Sequence, residues 1–283
     1  MNRRDFLQRT AALAALGPLS GRLHAVTGMQ LGLVTYQWGK DMDLPTVIRV
    51  CEQSGLPGVE LRTEHAHKVE PNLTKAQRAE VKKRFADSPV TLVGYGANCE
   101  YHSPDPAVLK KNIEQTKAYV QLMADCGGTG VKVKPNTLPA GVPREKTTEQ
   151  IGKALNEVGA YAADFGQKIR VEVHGRYTQA PAVMKEIFDV ATHPNVYICW
   201  NCNDEDLQGA GLEANFNMLK GRFGDTVHIR ELDEGNYPYA KLMQLFKAMN
   251  YQGWFLLEAR TEPSDKVKAM AHQLELFKKM IAS

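Results

Sequence analysis

The chain holds few cysteines, and none is arranged to do metal or disulfide work. Cys51, Cys99, Cys126, Cys199 and Cys202 form an odd, scattered set with a single CxxC spacing. Cys199 and Cys202 stand three apart, but no second pair faces them, which argues against a zinc knuckle and leaves the thiols as buried apolar side chains. A membrane-spanning run is also missing: the mild apolar stretch Ala11 to Leu19 covers roughly nine residues, about half of what a bilayer requires. Low-complexity segments and long linkers are absent too, so nothing divides the chain into separate domains.

The short apolar stretch has a meaningful setting. Asn2-Arg3-Arg4-Asp5-Phe6-Leu7 precedes it and Leu23-His24-Ala25 follows, offering a small-residue cleavage site. Paired arginines, a brief apolar run and such an exit are the pattern of a twin-arginine export signal over residues 1–25. The expected location is therefore periplasmic or otherwise extracytoplasmic, with residues 26–283 forming the domain. The leader carries four arginines and one aspartate against a chain-wide formal charge of +3, so the remainder has a formal net charge of zero. Such a surface gives no reason to expect a nucleic-acid partner, or membrane contact beyond export. Because this route carries folded proteins, a disulfide framework is unnecessary and a metal can be inserted beforehand.

From residue 29 onward, short β-branched runs alternate with longer helical patterns. The strand candidates are Gln30 to Tyr36, Gly58 to Leu61, Val90 to Tyr95, Gly130 to Lys134, Ile169 to His174, Val196 to Asn201, Thr226 to Arg230 and Trp254 to Glu258. Between successive candidates lie segments with apolar residues at i, i+3 and i+4, such as Val108 to Met123 and Ile151 to Phe165. Alternation of this kind predicts a parallel sheet, and eight units with about 250 residues predict an α/β fold of one domain, the (β/α)8 TIM barrel. The one extended non-periodic segment, Pro135 to Pro143, is the expected rim loop.

The strands alternate in polarity. In Ile169-Arg170-Val171-Glu172-Val173-His174 the odd positions are apolar and the even ones polar, and the stretches around Glu60, Lys132 and His228 repeat this. A barrel strand sends alternate side chains to the helices and to the lumen. The even set is therefore expected to face inward, which makes the C-terminal mouth, where barrel enzymes keep their chemistry, polar and charged.

Four residues stand at the ends of the last four strands: Glu172, Asn201, His228 and Glu258. Their near-equal spacing is what one strand, one helix and two loops consume, so they should be neighbours on one rim. Two carboxylates, an imidazole and an amide oxygen suit a divalent cation of the harder kind, Mn²⁺ first, with Mg²⁺, Co²⁺ or Zn²⁺ as alternatives. Asn201 brings no charge, and Asp204 three residues on is the alternative fourth ligand. Glu60, Arg62, His65, His67, Tyr95, His102, Lys132 and Lys134 fall at or just beyond strand ends in the first half. Each is read either as a solvated rim group or, for Glu60, Lys132 and His102 in particular, as a substrate contact. Trp38 and Tyr36 end the first strand and either stack on a sugar face or cap the core.

These residues carry a resemblance. Val-Glu-Val-His-Gly around Glu172, His228-Ile229-Arg230-Glu231 and Leu257-Glu258 resemble the xylose isomerase-like barrel superfamily, the sugar phosphate isomerase/epimerase group that also contains the AP endonuclease 2-type barrels. Three ligand positions match that pattern directly. Asn201 departs from it, because the family usually has aspartate there. The resemblance implies that Glu172 and Glu258 serve both as ligands and as acid/base groups on opposite faces of the substrate, and that His174 and Arg230 hold hydroxyl or oxyanion groups.

The leading expectation is thus an exported, metal-dependent sugar isomerase or epimerase that abstracts a proton alpha to a carbonyl of a carbohydrate or polyol. A 3-keto-glycoside lyase or hydratase would use the same site. A non-catalytic carbohydrate-binding barrel is the third reading, with Asn201 as its first symptom. The nuclease branch needs more strand-end histidines than this chain supplies. The sequence leaves a homo-oligomer open.

Overall fold

Eight strands and eight helices alternate in the computed structural model, which describes residues 28–282. They run β1 (Met29–Val34), α1 (Leu44–Ser54), β2 (Gly58–Arg62), α2 (Lys75–Ala86), β3 (Thr91–Glu100), α3 (Pro106–Cys126), β4 (Gly130–Lys134), α4 (Arg144–Asp164), β5 (Lys168–Glu172), α5 (Pro181–Val190), β6 (Val196–Asn201), α6 (Leu212–Leu219), β7 (Phe223–Ile229), α7 (Tyr239–Ala248), β8 (Gly253–Leu257) and α8 (Lys266–Ala282). The proposed leader lies outside the described residues. Every strand pairs in parallel with its neighbours and β8 returns to β1, from Met29↔Gly253 to Leu33↔Leu257, so the barrel closes without an edge. Among the described residues no helix is long and apolar enough to cross a membrane.

Local signals explain where the elements start and stop. Asp43 caps α1 by accepting from Thr46 N at 2.9 Å, Pro45 occupies its first turn, and Gly55 ends it at φ 78°. Thr74 and Gln77 form a reciprocal capping box on α2. Asp105 and Pro106 open α3 in the same way. Four strand limits differ from the sequence expectation by two residues or more. β1 ends at Val34 rather than Tyr36, and β7 begins at Phe223 rather than Thr226. β3 runs on to Glu100, because its register with β4 resumes at Glu100↔Lys134 after an irregularity, and β5 stops at Glu172, two residues short of His174.

The expected alternation sorts the two layers. Val131, Val133, Ile169, Val171, Val227 and Ile229 are buried in the main core with helix residues. The lumen holds a separate apolar cluster of Val34, Val93, Trp254 and Leu256. Beside this cluster sits Arg170, fully buried and fully satisfied. Its guanidinium donates to Asp225 Oδ1 at 2.9 Å, to Val93 O at 3.0 Å and to Thr129 Oγ1 at 2.7 Å. Glycine at 94 makes this possible, since a Cβ there would collide with Arg170 Nη1. Burial alone would raise the Asp225 carboxyl, but Arg170 and Lys168 hold it well below the usual carboxylate range. All five cysteines are free and buried.

Candidate active site

Four inward side chains from four strands meet above this plug: Glu60 on β2, Lys132 on β4, Glu172 on β5 and His228 on β7. Three are 0% exposed and Glu172 is 1% exposed. His228 Nε2 lies 3.0 Å from Glu60 Oε1, a contact across the barrel that fixes the imidazole plane. His228 Nδ1 then faces Glu172 Oε1 at 3.5 Å and has no hydrogen-bond partner. Lys132 Nζ donates to the other oxygen, Glu172 Oε2, at 2.6 Å. Glu258, just beyond β8, comes in beside them, its Oε1 accepting from Arg62 Nη1 at 3.0 Å. One donor atom each from Glu172, His228 and Glu258 falls within a common 4.8 Å.

The electrostatics follow from this packing. Burial would raise the Glu172 carboxyl, but Lys132 and His228 hold it well below its ordinary value. Burial likewise works against an imidazolium at His228, yet Cys199, Glu60 and Glu172 raise it well above the ordinary histidine value. The Glu60 carboxyl is lowered against burial, first by His228 and then by Lys132. Each carboxylate at the centre therefore already has a cationic neighbour.

The donor set fits a divalent cation. Glu60 occupies Nε2 of His228 and leaves Nδ1 directed at the carboxylates, the arrangement by which a carboxylate orients a ligating imidazole. Glu172 offers Oε1 while Lys132 occupies Oε2. Asn201 is 5% exposed; its amide nitrogen reaches Val173 O at 3.4 Å, and its oxygen accepts no hydrogen bond from a described residue. Asp204, the alternative fourth ligand from sequence, is exposed at the start of the turn Asp204–Leu207, where Asn203 and Asp206 take the buried positions instead.

The mouth residues divide. His174 and Arg230 stand half-buried at the ends of β5 and β7, with His174 Nδ1 and Arg230 Nε unpartnered. His102 lies half-buried beyond β3 with Nδ1 3.7 Å from Glu100 Oε2. Glu60 and Lys132 are engaged with His228 and Glu172 beneath the mouth, so their direct partners are side chains of the chain itself. Trp38 is not brought to the site: it is 2% exposed, packed in the core, and its Nε1 donates to Thr261 O at 2.9 Å. Of its two sequence readings, the core cap is the geometry found. His67 and Tyr95 are likewise spent on local structure, His67 Nε2 at 2.7 Å from Arg62 O and Tyr95 hydroxyl donating to Glu70 Oε1 at 2.8 Å.

Loop chemistry holds the frame. Gly175, which completes Val-Glu-Val-His-Gly, has φ 99°, and a Cβ there would overlap the Asn136 backbone. Only glycine lets the loop after β5 lie against the loop after β4. Glu231 is buried and accepts from Arg260 N at 2.9 Å and from Thr261 N at 2.8 Å, pinning the loop that follows Glu258. Sequence reasoning left Arg62 among the rim charges, although strand alternation from Glu60 already placed it on the inward face. The buried Asp206, whose Oδ2 accepts from Tyr237 at 2.7 Å, gave no comparable signal.

Residues 48–280 match the family described as "Xylose isomerase-like TIM barrel". The chain belongs to that family. Solved structures share the barrel over nearly their whole lengths. A 3-keto-D-glucoside 4-epimerase, YcjR from E. coli, is 15% identical, with a TM-score of 0.75 over 89% of this chain and 99% of that one. A D-allulose 3-epimerase from Methylomonas sp., in complex with D-allulose, is 18% identical, with a TM-score of 0.74 over 90% and 98%. The IolI protein, with a zinc atom bound, is 14% identical, with a TM-score of 0.74 over 90% and 98%. At such identities the likeness is one of fold. Among curated proteins none matches the chain in sequence.

Proposed function

We propose that this barrel is a metal-dependent sugar isomerase or epimerase, exported by its twin-arginine leader, which moves a proton alpha to a carbonyl of a keto sugar. The observation that carries the reading is the convergence of Glu172, His228 and Glu258 within 4.8 Å at the mouth of the barrel. Family neighbours that act on D-allulose or 3-keto-D-glucosides support it. A divalent cation, Mn²⁺ first, would be held by Glu172, His228, Glu258 and Asn201, and when bound it supplies Lewis-acid polarisation of a carbonyl.

The chain's own groups divide the remaining tasks. Glu172 and Glu258 extend from strands on either side of His228, each with a cationic side chain on one oxygen, so each can accept a proton at a carboxylate oxygen and return it. Glu60 keeps the His228 ring from turning. Lys132 and Arg62 offset the charge of the two glutamates and hold one oxygen of each, leaving the other free. His174 and Arg230, with unpartnered nitrogens, bind substrate oxygens.

The deciding experiment is proton exchange. Purified protein with residues 1–25 removed, loaded with Mn²⁺, is incubated in D₂O with a panel of keto sugars. Deuterium at the carbon next to the carbonyl supports the reading; no incorporation for any sugar with any divalent metal overturns it. Export is tested separately: replacing Arg3 and Arg4 by lysine should retain the protein in the cytoplasm.

A further inference from the structure

The mouth has an imbalance that a neutral sugar does not resolve. Lys134 ends β4 half-buried and makes no hydrogen bond or ion pair with any described residue. Of the two carboxylates whose field reaches it, Glu172 already accepts a hydrogen bond from Lys132 at 2.6 Å. The other, Glu100, is its pairing neighbour on β3 but makes no ion pair with it, and its Oε2 lies 3.7 Å from His102 Nδ1. A half-desolvated ammonium without a counter-ion is costly, and the cost rises with further cations nearby. Burial and then the Lys132 charge lower the Lys134 amine from its ordinary value; Arg62 adds to the effect, and Glu172 and Glu100 oppose it without reversing it.

The unpartnered polar atoms around it are mostly donors or can be. Arg62 Nε, His102 Nδ1, His174 Nδ1 and Arg230 Nε are buried without hydrogen-bond partners, and all four belong to residues at or beyond strand ends on the mouth. His174 stands in the electrostatic field of Lys134 and Lys132, and the loops behind Lys134 and His174 touch at Asn136 and Gly175. A hydroxyl brings a proton of its own with every oxygen. A carboxylate brings only acceptors, and one negative charge.

We infer that Lys134, with His174 beside it, forms a subsite for a carboxylate on the sugar, so that the substrate is an acidic keto sugar of the uronate or keto-aldonate class. The inference rests on the proposed keto-sugar reading and names the substrate class for that same site. A cation bound at Glu172 would sharpen the imbalance, since it adds positive charge below an ammonium that already lacks a partner. A charge-assisted hydrogen bond in such a place contributes about 1.5–3 kcal/mol, roughly ten- to a hundredfold in affinity.

The test is binding to the Mn²⁺-loaded protein by titration calorimetry, with D-fructose, D-fructuronate and D-fructose 6-phosphate, which differ only at carbon 6, and with 2-keto-D-gluconate, whose carboxylate lies at the other end. At least one of the two keto acids should bind about tenfold or more tightly than D-fructose. Lys134→Gln should bring that ratio below about two, and Lys134→Arg should restore most of it. Equal binding of the acids and D-fructose overturns the inference, as does a ratio unchanged in Lys134→Gln. Tighter binding of the phosphate than of either acid also overturns it. Failure here is separable from failure of the enzymatic reading: neutral keto sugars that exchange protons in D₂O without any preference for acids would remove the carboxylate subsite and leave the proton abstraction intact.

Discussion

Lys132 Nζ lies 2.6 Å from Glu172 Oε2 in a part of the lumen closed to solvent. An ammonium at that distance does part of what a bound cation would do, because it compensates one of the ligand carboxylates before any metal arrives. Together with Asn201, which adds no charge, it makes this centre less negative than a set of three acidic ligands would be.

Replacing Lys132 by methionine should therefore have two opposed effects. Without metal, Glu172 loses its hydrogen-bonded ammonium and keeps only His228 beside it, and the protein should lose up to about 3–5 kcal/mol of stability. With Mn²⁺ the cation takes over the compensation, so the gain in Tm on adding metal should be larger in the variant than in the wild type. Equal metal-induced gains would mean that Lys132 does not set the charge balance of the site.

Glu60 makes a complementary prediction. Its carboxylate holds His228 Nε2 at 3.0 Å and so decides which nitrogen faces Glu172 and Glu258. Glu60→Gln keeps the volume and weakens the hold, and Mn²⁺ affinity measured by calorimetry should fall about ten- to a hundredfold. A far smaller change would show that packing alone orients the ring.

The barrel and most of its centre were legible in the sequence because both depend on periodicity. Strand alternation put Glu60, Lys132, Glu172 and His228 on inward positions, and even spacing put the last four strand ends side by side. What the sequence did not reveal depends on pairings across the barrel. Nothing local to Lys132 or Arg62 says that their partners are Glu172, 40 residues away, and Glu258, 196 residues away. Trp38 shows the same limit from the other side: an aromatic at a strand end is available to a sugar only if the surrounding chain leaves it uncovered, and here it is buried, with Nε1 donating to Thr261 O. The sequence pointed to Asp204 and not to Asp206, and only the tight turn after β6 decides that the second is buried.

That buried Asp206 predicts a pH dependence of stability. Burial pushes its carboxyl up to about 7, against the lowering effect of hydrogen bonds from Tyr237 and the Asn203 amide. A carboxyl whose folded value lies above its unfolded value binds more protons when folded. Its contribution is complete below about pH 4 and is lost as pH rises to about 7, amounting to about 4 kcal/mol for the whole shift. Asp206→Asn can keep both acceptor contacts and cannot ionise. Thermal unfolding from pH 4.5 to 8 should show wild-type Tm falling relative to the variant, with the difference levelling off above pH 7 to 8. Parallel curves would place the Asp206 titration elsewhere.

The two glutamates make the most specific demand. Glu172 on β5 is held by Lys132 and Glu258 beyond β8 is held by Arg62, so in the proposed reading the pair offers two bases set apart by His228 rather than one base with a passive ligand. If each works on its own face of the substrate, Glu172→Gln and Glu258→Gln should not be equivalent when exchange into D₂O is started from the two epimers of whichever keto sugar reacts. One variant should lose exchange from the first epimer, by roughly 10²–10⁴-fold, and the other from the second, the range expected on removal of a general base. Metal content measured on each variant separates loss of the base from loss of the ligand. Asn201→Asp is the control in the opposite direction, since it adds charge to the metal shell without touching either base and should tighten Mn²⁺ while exchange from both epimers persists. If both glutamine variants, with metal retained, exchange protons from both epimers at wild-type rates, neither glutamate is the base, and the next groups to test are His174 and Lys134, the half-buried nitrogens above them.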